Sequence, residues 1–196
     1  MGPDKELAVR ALTMQSEGRS HQMGISTTVL AVVKVMDTIN EWIGKTVSWL
    51  VIPLTLIVVY EVVRRKLFST TTVWGYDMTI FCYGTLMMLG MGYTLLHDEH
   101  VRIDLLYKKY KPKTRAVVEL ILYVIFVIPV IIVFFKYGLA YASQSWAIRE
   151  RVGITAWDPI VYPFKTIIPI TYLLLLIQAI SQVLKQVVFL AKGAKS

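Results

Sequence analysis

Apolar residues come in long blocks along this chain, and the polar positions between them set the elements. Four blocks are long enough to cross a bilayer core, which takes about 20 residues of helix. The first lies within Thr46 to Val63, with Pro53 inside and Glu61 near its end. The second carries no charge from Met78 to Leu96. The third has Glu119 and Lys136 as its only charges, and the fourth is uncharged from Thr166 to Leu184, with Pro163 and Pro169 in its first half. These blocks predict spanning helices over about 46–67, 74–97, 115–143 and 161–186.

A different pattern precedes them. Over about 27–45, Val29, Val32, Val33, Met36, Ile39 and Ile43 recur at helical spacing, while Lys34, Asp37, Thr38, Glu41 and Lys45 take the opposite side. That is an amphipathic helix. Beside a spanning helix its expected place is the interface plane, with Trp42 near the headgroups. The expected fold is therefore all-α: an integral membrane protein with four transmembrane helices preceded by an amphipathic interfacial helix. The membrane domain occupies 27–190, between a flexible N-terminal tail over 1–26 and a short C-terminal tail over 191–196. The N-terminal stretch is polar, without the apolar run of a signal peptide, and Met23 is an alternative native start to Met1.

Composition agrees. The chain is 56% hydrophobic and 17% charged, against about 25% charged in a soluble domain. Its net charge of +8 points to basic cytoplasmic loops rather than to nucleic acid, which needs a basic face on a soluble domain. Arg102, Lys108, Lys109, Lys111, Lys113 and Arg115 lie in the 98–115 loop, and Lys34, Lys45, Lys185, Lys192 and Lys195 flank helices on the same side. Arg64, Arg65, Lys66, Arg149, Arg151 and Lys165 lie on the other. The bias of eleven to six places both termini and the 98–115 loop in the cytoplasm, with Arg64, Arg65 and Lys66 arguing against it.

Candidate chemistry is sparse. There is no Ser/His/Asp set, phosphate loop or Cys/His metal spacing, and Cys82 has no thiol partner. A haem anchor needs histidines inside the helices; His97 and His100 sit at a helix end. No cofactor and no catalysis are expected. Glu61 can pair with Arg64 or Arg65 on one helix face. Asp77 suits the first turn of the second spanning helix and can pair with Arg65 across helices, or both can be solvated. Lys136 can snorkel at the interface or bind a partner or lipid phosphate. After Leu96, Ile103, Leu106, Tyr107 and Tyr110 recur at helical spacing as a short surface helix ended by Pro112. His100, Arg102 and Asp104 at its start can cap it, bridge to the preceding helix or meet another subunit.

Five stretches carry a resemblance: "YEVVRRKLF", "VWGYD", "LLHDEHVRIDLLY", "SWAIRERVG" and "YPFKTIIPI". Over about 30–190 the chain resembles the small, DctQ-like membrane subunit of tripartite ATP-independent periplasmic (TRAP) transporters. The most specific piece holds His100, Arg102 and Asp104; the spacing of Glu61 to Arg65 and of Trp74 to Asp77 also fits, while Lys66 stands where an aromatic is more usual. The resemblance implies a four-helix scaffold without a site of its own, bracing a separate large DctM-like subunit. That subunit would import an organic acid delivered by a DctP-like periplasmic binding protein, coupled to sodium, in a bacterial or archaeal inner membrane. Glu61, Arg65, Asp77, His100, Arg102, Asp104 and Lys136 are then candidates for contacts with that subunit or with membrane lipids. Two other classes stay open: a membrane-anchor subunit of a respiratory enzyme, and a self-sufficient small transporter.

Overall fold

The prolines decide where the helices break. The computed structural model describes residues 28–97 and 112–193. It is about 84% helical, with no strand among the described residues. Helix α1 covers 28–48 and α2 covers Val51–Phe68. The turn between them falls at Trp49 and Leu50, four residues later than the apolar pattern indicates. Pro53 has no amide to give to the carbonyl four residues back. Instead the Ile52 amide bonds the Trp49 carbonyl at 3.2 Å, tightening the backbone into a turn there. Helix α3 covers Gly75–Leu96.

The third span has two halves. Helix α4 is Pro112–Leu122, opening on a proline that fits a first turn. A π-helical turn, Tyr123–Val127, follows, in which the Ile128 amide reaches the Tyr123 carbonyl five residues back. Helix α5 is Ile128–Ala147. The wide turn lies where Pro129 leaves the Ile125 carbonyl without its donor and crowds it with the ring. Pro169 acts likewise on the fourth span. The short α6, Tyr162–Lys165, parts at Thr166 from α7, Ile167–Gly193.

The result is four helical stretches long and apolar enough to cross a membrane: Thr28–Phe68, Gly75–Leu96, Ala116–Ala147 and Tyr162–Ala191. The last is the centre of the bundle, with 44% of its apolar window buried against 6% for the first. Leu95, Ile131, Leu175 and Ala179 form the core cluster. Close approach is set by small residues: the Phe164 ring fills the space over Gly84, and Ile168 packs on Gly138. Helix α2 buries none of its residues fully, and most of its apolar side chains are exposed, Leu54 and Ile57 being half-buried.

Candidate functional site: two polar clusters in the bundle

One end of the bundle gathers the connections 69–74 and 148–161. Ser69 takes a left-handed backbone after α2, φ 51°, which turns the chain across toward α3. The Glu61 carboxylate accepts the Thr72 amide at 3.2 Å. A Cβ on Gly75 would collide with the same carboxylate, so the glycine leaves room for it. Asp77 is 3% exposed and accepts the Thr155 hydroxyl at 2.6 Å, tying the first turn of α3 to the 148–161 connection. In the 148–161 connection the Val152 amide bonds the Pro159 carbonyl and the Val161 amide bonds the Glu150 carbonyl, both at 3.1 Å. The Gly153 amide donates to the Asp158 carboxylate at 2.8 Å. Lys165 bridges Glu150 at 2.5 Å and lies 4.1 Å from the Tyr141 ring centroid. The Lys165 hydrogen bond holds the Glu150 carboxyl below the usual range.

The second cluster joins α1 to α7 and α3. The Asn40 amide donates to Gln178 at 2.9 Å. Gln178 in turn donates to Asp37 at 3.0 Å. The Ser181 hydroxyl donates to Asp37 at 2.6 Å, and Lys185 bridges its other oxygen at 2.7 Å. This is a directed chain of donors ending on one carboxylate. Asn40 and Gln178 are 1% and 0% exposed, so neither has water as an alternative. Asn40 Oδ1 receives no N–H or O–H. It sits where a Cβ on Gly92 would be, so the Gly92 Cα–H faces it as a weak donor. Below this chain, Gln182 donates to the Leu95 carbonyl at 3.2 Å and Gln186 to Glu119 at 2.5 Å.

The structure separates the residues singled out from sequence. Glu61 takes a backbone amide of the connection rather than an arginine. Arg64 instead reaches the Tyr60 hydroxyl and Thr70, and Arg65 is exposed with no partner among the described residues. Asp77 pairs with Thr155, not with Arg65. Lys136 is exposed on α5. His100, Arg102 and Asp104 lie outside the described residues. Asp37, Asn40, Ser181 and Lys185 were not singled out from sequence. Their signal is the 178, 181, 185 spacing, which puts Gln178, Ser181 and Lys185 on one face of α7. Asp37 was assigned to a water-facing side of α1, yet α7 holds it. The outward positions of α1 include Val35 and Trp42, at 60% and 70% exposure. Among the described residues no group of three His, Cys, Asp or Glu side chains gathers for a metal.

These bonds fasten helices and connections to one another within the chain. A family model for the DctQ component of tripartite ATP-independent periplasmic transporters matches residues 54–189. The chain belongs to this family. No curated protein matches it significantly. As a DctQ component it is a multi-pass membrane subunit of a TRAP transporter, which works with a large subunit and a binding protein. The matched region takes in Glu61, Asp77, the 148–161 connection and the polar face of α7, whereas α1 precedes it.

Proposed function

We propose that this DctQ component is a non-catalytic scaffold: it braces the large subunit of a TRAP transporter during sodium-coupled, binding-protein-dependent import of an organic acid. The observation that carries this reading is the fate of the buried polar groups. Asn40, Asp77, Gln178 and Ser181 are each committed to a neighbouring helix or connection. A coupled carrier needs polar groups or unwound backbone open to substrate and cation near midplane. Here such groups serve as struts.

In this reading the termini and the segment between α3 and α4 are cytoplasmic, and the 69–74 and 148–161 connections face the periplasm of a bacterial or archaeal cell. Helix α1 lies along the cytoplasmic interface. The basic-residue bias supports this orientation. So do the contacts of α1 with α3, at Gly92 and Tyr93 beside the last turn of that helix.

Two experiments test the reading. The chain should co-purify with a large TRAP subunit expressed beside it; failure to do so overturns the scaffold role. For orientation, Thr71→Cys should react with an impermeant thiol reagent on intact cells and Lys113→Cys should not. The reverse pattern overturns the topology. Cys82 lies within α3 and is partly buried, so its background should be low.

A further inference from the structure

Lys136 departs from the way this chain treats its other cations. Lys45 pairs with Glu41, Arg151 with Asp158, Lys165 with Glu150 and Lys185 with Asp37. Lys34, Arg64, Arg65, Lys66, Lys113 and Arg149 have no ion pair among the described residues, but Lys34 is on the polar side of α1 and the others sit toward a helix end or in a connection. Lys136 is inside α5, exposed, and among the described residues no ion pair or hydrogen bond reaches its side chain. Around it Ile132, Val133, Phe134 and Tyr137 are 48%, 51%, 51% and 69% exposed. A single positive charge therefore stands on an outward apolar face.

Its depth decides what it meets. The apolar span runs on to Ala147, but Tyr141, under the Lys165 ammonium, is the first position toward the connection end to meet a charge and is taken as the boundary there. Glu119, bonded to Gln186, marks the other. The two are 22 residues apart, roughly 33 Å of helix, close to the ~30 Å hydrocarbon core. Lys136 falls five residues short of Tyr141, about 7.5 Å inside the boundary. Helical side chains leave the axis tilted toward the N-terminus, and from Lys136 the N-terminus of α5 lies toward the bilayer centre. The lysine stem starts away from the nearer water. Snorkelling has to reverse that direction, and so does reaching a lipid phosphate at the same surface. A carboxylate at the same depth on a neighbouring helix needs no reversal. Charges at such depth persist where they are paired.

We infer that Lys136 docks against a membrane-embedded carboxylate of the large subunit, making the α5 face around Ile132, Val133, Phe134 and Tyr137 part of the subunit interface. The inference rests on the scaffold reading above. The test is co-purification of the full complex with the wild-type chain, Lys136→Met and Lys136→Arg, alongside thermal melting of each chain alone. Lys136→Met should lower recovery by roughly tenfold, equivalent to about 1.4 kcal/mol, and Lys136→Arg should retain it. Both isolated chains should melt with the wild type. Lys136→Glu should lose the complex and regain it when one Asp or Glu in a membrane helix of the large subunit becomes Lys. Normal recovery of Lys136→Met overturns the inference, as does destabilisation of the isolated variant. Native mass spectrometry provides a further check. If Lys136→Met releases a bound phospholipid and no carboxylate replacement restores Lys136→Glu, the partner is a lipid and the inference fails. If the wild-type chain itself does not co-purify, the scaffold reading fails with it.

Discussion

The connection end and the α1–α7 seam both bury polar groups, but they use them differently. At the connection end most bonds are local: Glu61 to Thr72, Gly153 to Asp158, Lys165 to Glu150. They close turns and satisfy amides that no helix can. At the seam the partners are 138 to 144 residues apart in the Asn40–Gln178, Gln178–Asp37 and Ser181–Asp37 bonds. They hold one helix against another. In lipid, apolar burial gives helices little reason to prefer each other over acyl chains, so packing and interhelical hydrogen bonds supply the preference. The first set shapes the chain locally; the second decides how α1 sits on the bundle.

Breaking the seam should have the larger effect. Gln178→Leu removes the link between Asn40 and Asp37: the buried Asn40 amide keeps only the Met36 carbonyl at 3.4 Å, while Asp37 loses one donor and keeps Ser181 and Lys185. An unsatisfied buried group costs about 1–3 kcal/mol and a lost hydrogen bond about 0.5–1.5 kcal/mol, so the purified protein should lose roughly 2–3 kcal/mol, read as a clear fall in melting temperature. A double-mutant cycle with Asn40→Leu should show coupling of about 0.6–1.7 kcal/mol, the range of such bonds in membranes. Additivity of the two changes would mean that the bond joins nothing.

Gly92→Ala comes next. The added methyl meets Asn40 Oδ1 and displaces that side chain from its place between α3 and Gln178, at about 1–2 kcal/mol for overpacking. Gly90 has nothing within reach of a Cβ, so Gly90→Ala should be near neutral. Equal losses at both positions would remove the close approach from the account.

The connection end should respond more weakly. Thr155→Val leaves the Asp77 carboxylate short of its hydroxyl, at about 1–2 kcal/mol, and the protease sensitivity of the 148–161 connection should rise with it. The smallest effect is a pH dependence. Because the lysine hydrogen bond depresses the Glu150 carboxyl, its contribution is fully present above the ordinary glutamate range, near 4.3. It is lost as the pH falls through the lowered value. The wild type and Glu150→Gln should therefore differ in melting temperature at neutral pH and converge in acid. A gap that widens in acid would contradict the pairing.

The same contrast explains what the sequence made legible. The four spans were visible because roughly 20 uncharged residues have few other uses. Asp77 was visible as a first-turn carboxylate. What stayed hidden was who bonds whom. Arg65 was a reasonable partner for both Glu61 and Asp77 by spacing, but an amide from Thr72 and a hydroxyl from Thr155 lie closer once the connections fold. Periodicity put Asp37 on the polar side of α1; the donors of α7 draw Asp37 inward while Lys34, Thr38 and Lys45 of that side stay exposed. The turn at Trp49 followed from Pro53 through a missing hydrogen bond, which residue counts do not register.

The central claim is that these polar groups fasten helices and carry nothing, and transport by the isolated chain tests it most directly. Proteoliposomes holding this chain alone, with an inward sodium gradient, should take up no organic acid above protein-free vesicles. Adding the large subunit and a loaded binding protein should start sodium-dependent uptake, and leaving this chain out should stop it. Saturable, sodium-dependent uptake by the chain alone would contradict the account and identify it as a carrier.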